Sequence, residues 1–111
     1  MINPSSSVDH EIRLDDITAR LRWYNENMSW FRMSYDEGNL NPCFLKVILD
    51  RYEPMLTQKL IPLGNQKVIL ADESKKKDYE QARELVINSI LQLEEMIEYE
   101  SKLSKTAASI Q

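Results

Sequence analysis

Side chains able to do covalent or acid–base chemistry are scarce in this chain, and they stand far apart. His10 is the only histidine and Cys43 the only cysteine, so a Ser-His or Cys-His couple would have to use that one imidazole. Cys43 lies two residues after a helix start, a position that can lower a thiol pKa; a small buried side chain is the plainer reading. No cluster of histidines and cysteines has metal-ligand spacing. The two glycines, Gly38 and Gly64, cannot build a loop that cradles phosphate.

Carboxylates are the one abundant catalytic type. Asp50 and Glu53 stand at i, i+3, and Glu94-Glu95-x-x-Glu98 sets acids within one helical turn. The second pattern resembles the carboxylate helix motif of all-α nucleotide pyrophosphatases, and that resemblance implies magnesium held by these acids in a helical enzyme. It covers five residues, with no second motif at suitable spacing; by residue type alone, such a triplet is a solvated helix face. A nucleic-acid site would draw on Lys75, Lys76 and Lys77 with Lys67, or on Arg13, Arg20, Arg22 and Arg32. The arginines are scattered around their helix with acids between them, and a lysine run at a helix start opposes the dipole. A net charge of −4 does not draw nucleic acid to the whole surface. Neither cofactor nor metal is expected.

The elements that must position these residues follow from composition and spacing. At 111 residues the chain is one domain. With only two glycines and four prolines, it favours long helices over a turn-rich β fold. No apolar run approaches a membrane span, and MINPSSSVDHEIR has neither the basic start nor the apolar stretch of a signal peptide. A lone cysteine fits a reducing compartment, so a cytoplasmic protein is expected.

Residues 1–8 read as a disordered lead, 9–104 as a single helical domain and 105–111 as a frayed tail. Leu14, Ile17, Leu21, Tyr24, Met28, Phe31 and Tyr35 step by three and four, which predicts a helix over about 9–37, stopped at Gly38. Asn41-Pro42 predicts the start of a second helix over 42–61. That helix is apolar on most sides (Phe44, Leu45, Val47, Ile48, Leu49, Tyr52), hence buried, and Pro54 kinks or restarts it. IPLGNQK at 61–67 reads as the turn, and Val68-Ile69-Leu70 fits a short extended connector. Asp72, Glu73 and Ser74 open a final helix over 74–104, with Tyr79, Ala82, Val86, Ile90, Leu93 and Ile97 as its seam. The expected fold is an all-α elongated bundle or hairpin: two long antiparallel helices with a shorter, proline-interrupted helix between them.

Two stripes are left over. Trp23 and Trp30, seven apart, each sit about 100° around the helix from a seam residue. Leu85, Met96, Tyr99 and Leu103 line a flank of the last helix. In a small bundle each helix touches two neighbours and needs a wide apolar face; the other reading is a contact surface for another chain, where tryptophan and tyrosine are favoured. Length supports contact. Helices of about 29 and 31 residues span roughly 43 and 46 Å, whereas a compact chain of about 100 residues has a radius of gyration near 13 Å. The expectation is a non-enzymatic helical interaction module that binds a protein partner or a second copy through Trp23, Trp30, Leu85, Met96, Tyr99 and Leu103. A nucleic-acid-associated regulator using Lys75–Lys77 is the alternative, and a magnesium-dependent all-α enzyme comes third. Neither nucleic acid nor membrane is an expected partner of the first reading.

Overall fold

The structure is a computed structural model; its described residues are 12–110, with side chains described through Leu103. The lead at 1–8 therefore lies outside the described residues. Helix α1 runs Leu14–Asp36. Ile12 and Arg13 are not helical, so α1 starts later than expected. The Asp16 carboxylate accepts from the Arg13 backbone N–H at 3.4 Å, and Asp15 joins it in the first turn, where the helix dipole favours negative charge. At the other end Asn39 N–H reaches Ser34 carbonyl at 2.8 Å and Gly38 N–H reaches Tyr35 carbonyl at 3.0 Å. With Gly38 at φ +77°, this is a left-handed helix stop.

The middle segment differs most from expectation. Helix α2 (Cys43–Pro54) passes into a π-helical turn (Met55–Leu60), then α3 (Ile61–Lys67) and a 3-10 turn (Val68–Leu70). IPLGNQK is helix and not a turn, and Val68-Ile69-Leu70 is 3-10 and not extended. Pro54 and Pro62 each lack the N–H that an α-helix requires and crowd the carbonyl four residues before. The widened turn between them accommodates both without breaking the rod. It also corrects register. Leu56, Leu60 and Gly64 are buried at steps of four, which drift about 40° per step in an α-helix; the wider π turn rotates less per residue and keeps them on one line.

Helix α4 spans Glu73–Ile110, continuing past the expected end near residue 104. Asp72 caps it, its Oδ1 accepting from Lys75 N–H at 2.9 Å. The rods form an all-α bundle with no strand among the described residues. It is elongated, 64 × 32 × 21 Å with a radius of gyration of 17.6 Å.

The two long helices are parallel, which corrects the expected antiparallel pairing. Contacts between them climb together along both chains: Lys75 to Asp15, Asp78 to Arg22, Ser89 to Asn25 and Glu100 to Tyr35. The reason is the middle rod. It runs unbroken from Cys43 to Leu70, a length of roughly 40 Å, and returns the chain to the end where α1 began. The path is thus up, down, up.

The core lies on the expected seams. Leu14, Ile17, Leu21 and Met28 of α1 pack with Tyr79, Ala82, Val86, Ile90 and Leu93 of α4 around Leu45, Leu49, Leu56 and Leu60 of the middle rod. Phe44 and Val47, read as buried, are more than half exposed. With neighbours on two sides only, α2 turns one face to solvent.

Candidate interaction surfaces

None of the residues with chemical potential converges on a catalytic constellation among the described residues. His10 lies outside them. Cys43 is exposed at the start of α2. Glu53 meets Glu94 across the α2–α4 seam: burial pushes the Glu53 carboxyl pKa up, and the charge and hydrogen bond of Glu94 add to the rise. Glu94, Glu95 and Glu98 gather no further ligand, and no group of three or more His, Cys, Asp or Glu among the described residues is placed to hold a metal ion. Of the lysine run, Lys75 pairs with Asp15 at 3.4 Å, while Lys76 and Lys77 are exposed.

Two open clefts are shallow. One, of about 280 Å³, lies at the bundle end between Arg13, Lys67, Leu70 and Lys75. The other, about 310 Å³, lies between Cys43, Lys46, Ile97 and Glu100. Beside the second, the Tyr35 hydroxyl donates to the Glu100 carboxylate. That bond, with burial and the Glu100 charge, pushes the Tyr35 pKa up to about 12.

The aromatic residues form the most organised surface. Trp23 and Trp30 remain 55% and 60% exposed, outside the core. Trp23 meets Tyr24 edge to face at 5.0 Å, and Tyr24 meets Tyr52 of α2 at 4.9 Å. Tyr52 faces Phe31 at 6.5 Å, and Phe31 meets Trp30 at 5.1 Å. Such T-shaped pairs are favoured by the ring quadrupoles. Five rings therefore make one ladder along the inter-helix groove where α1 packs on α2, with Tyr24, Phe31 and Tyr52 half-buried and both tryptophans exposed beside them. Burial raises the Tyr52 hydroxyl pKa, Tyr24 adds to the rise, and nearby Arg51 opposes it.

The second stripe is less uniform. Leu85, Tyr99 and Leu103 of α4 are exposed. Met96, expected among them, is half-buried and packs against the core. Met33 of α1 is also exposed. Tyr52 and Met33 were missed by sequence reasoning. Tyr52 stands in a run that is apolar on most sides, which predicts burial; Met33 falls on neither repeat. No family model, curated protein or solved structure matches the chain.

Proposed function

We propose that this chain is a non-enzymatic helical protein–protein interaction module, an adaptor, assembly subunit, dedicated chaperone or inhibitor. The observation that carries this reading is the exposure of both tryptophans on an aromatic ladder that bridges two helices. Tryptophan left half in water costs solubility, and its large area with a polar N–H is what contact surfaces use. Leu85, Tyr99 and Leu103 supply a second such surface, with Met96 bracing it from the core side. Among the described residues no helix is long and apolar enough to cross a membrane. The exposed thiol of Cys43 favours a reducing, cytoplasmic setting.

Truncation separates contact from core. Leu21→Ala, at a fully buried site, is expected to cost about 2–5 kcal/mol in urea unfolding. Trp23→Ala and Trp30→Ala are each expected to cost about 1 kcal/mol or less, while weakening partner capture. Tryptophan variants as unstable as Leu21→Ala would remove the basis for the reading.

A further inference from the structure

We infer that the aromatic groove between α1 and the middle rod binds the outward face of α4 from a second copy of this chain, so that copies associate head to tail. This rests on the reading of the tryptophan face as a contact surface and names its occupant.

Beside the groove stand three cations that reach no carboxylate among the described residues. Arg20 stands one turn before Trp23 and Tyr24 on α1, Arg51 adjoins Tyr52, and Lys59 lies one turn past Met55; all three are exposed. Because α1 and the middle rod run oppositely and meet at Tyr24 and Tyr52, Arg20 and Lys59 fall at one end of the groove. Arg22, Lys46, Lys75 and Lys102 each reach a carboxylate within 4.0 Å; Arg20, Arg51 and Lys59 reach none among the described residues. Of the described acids near these cations, Asp50 beside Arg51 is paired with Lys46 at 3.5 Å. Asp16 is bonded to the Arg13 backbone, and Glu26 lies beyond the tryptophans, away from the rod.

The groove also dictates the form of its occupant. Its walls are helices whose backbone N–H and C=O groups are already consumed. An incoming chain finds no backbone partner there and must satisfy its own groups, as a helix does. The occupant should therefore be an amphipathic helix with acids beside its apolar residues.

That description fits the outward face of α4. Ile87 and Leu91, four apart, are exposed large apolar side chains. Glu84, Glu95 and Glu98 are exposed around them, with Glu80 half-buried; Glu94 turns to Glu53 of α2 and stays outside this face. Only Glu98 of these has an ion-pair partner among the described residues, Lys102 at 3.3 Å. The lengths agree: Arg20 to Phe31 and Glu84 to Glu95 each rise about 17 Å along their helices.

Placement excludes a self-contained pair. α4 turns its seam to the core, so its outer face and the groove lie on opposite sides of the three-rod bundle. A copy cannot fill its own groove. Docking of one copy on another leaves a free groove at one side and a free acidic face at the other, so the contact is heterologous and further copies add.

Light scattering on the full chain tests this. In about 0.1 M salt, where charges are screened over roughly 10 Å, weight-average mass should rise with concentration above 13.1 kDa with no plateau at the dimer. In about 1 M salt, with a screening length near 3 Å, it should fall back toward 13.1 kDa. The variants Arg20→Glu/Arg51→Glu/Lys59→Glu and Glu84→Lys/Glu95→Lys should each be folded by circular dichroism and monomeric alone, and should associate when mixed. A wild type that stays at 13.1 kDa at millimolar concentration, a saturating dimer indifferent to salt, or a charge-reversed groove that associates like wild type would each overturn the inference. A monomeric wild type whose tryptophan variants keep their stability would sink self-docking and leave the contact surface standing for a foreign helix. Tryptophan variants as unstable as Leu21→Ala would remove both.

Discussion

A methyl group added at Gly64 would stand 2.2 Å from Tyr79 Cε1 and 2.7 Å from its hydroxyl. Gly64 is helical and needs no unusual φ; it is small because Tyr79, fully buried, crosses the rod at that point. The Tyr79 hydroxyl lies 2.8 Å from the Ile61 carbonyl and 2.7 Å from Asn65 Oδ1, which also accepts from Arg83. Gly64→Ala is therefore expected to cost about 1–3 kcal/mol or more by overpacking, and Tyr79→Phe about 0.5–1.5 kcal/mol, both measured by urea unfolding. Tyr35 gives a pH-dependent check. Its pKa is raised to about 12 in the fold from an ordinary 10.0, so the neutral hydroxyl is the form the fold favours. Its contribution is complete below pH 10 and lost as pH rises toward about 12. Stability of wild type should fall more steeply across that window than that of Tyr35→Phe, and Glu100→Gln should bring the raised tyrosine titration down. The sequence made Tyr79 readable as a seam residue, but not its partner. A glycine in IPLGNQK signals a turn locally, and only the neighbouring helix reveals that it is a gap for a ring.

Among the elements, Gly38 is the opposite kind of glycine. An added Cβ there meets nothing within 4 Å, yet φ is +77°. Gly38→Ala is expected to cost about 1–2 kcal/mol through backbone conformation alone, with α1 fraying at Tyr35 and Asp36 in hydrogen exchange. The α1 and α4 seams were legible because steps of three and four record burial directly: Ile17, Leu21, Val86 and Leu93 are among the most buried side chains. The middle rod was not legible, because Pro54, Pro62 and Gly64 are each a helix-breaking signal when taken singly. Tertiary packing overrides them, and the π turn is where the conflict is absorbed. The candidate surface was half legible for the same reason. Trp23 and Trp30 fall off the seam of a well-read helix, whereas Tyr52, which joins them into a ladder, belongs to the helix that was misread.

At the scale of the whole molecule, the reading of the middle rod decides the direction of everything after it. A short crossover would have sent α4 back along α1; an unbroken rod sends it forward. Ser89 Oγ donates to Asn25 Oδ1 at 2.5 Å, so Asn25→Cys/Ser89→Cys in a Cys43→Ser background should close a disulfide on mild oxidation, seen as a shift in non-reducing electrophoresis. Antiparallel long helices would leave these positions apart. The ion pairs Asp15–Lys75 and Arg22–Asp78 mark the same register but, being half in water, add little stability. An odd number of rods has a mechanical consequence. Chain entering at Leu14 and chain leaving at Ile110 do so at opposite ends of a 64 Å axis. Tension applied through those two points would slide α1 and α4 along each other's length, loading the whole seam at once. A hairpin pulled from adjacent ends would peel open one turn at a time. Pulled from those two points, the fold is therefore loaded in shear along its 64 Å axis.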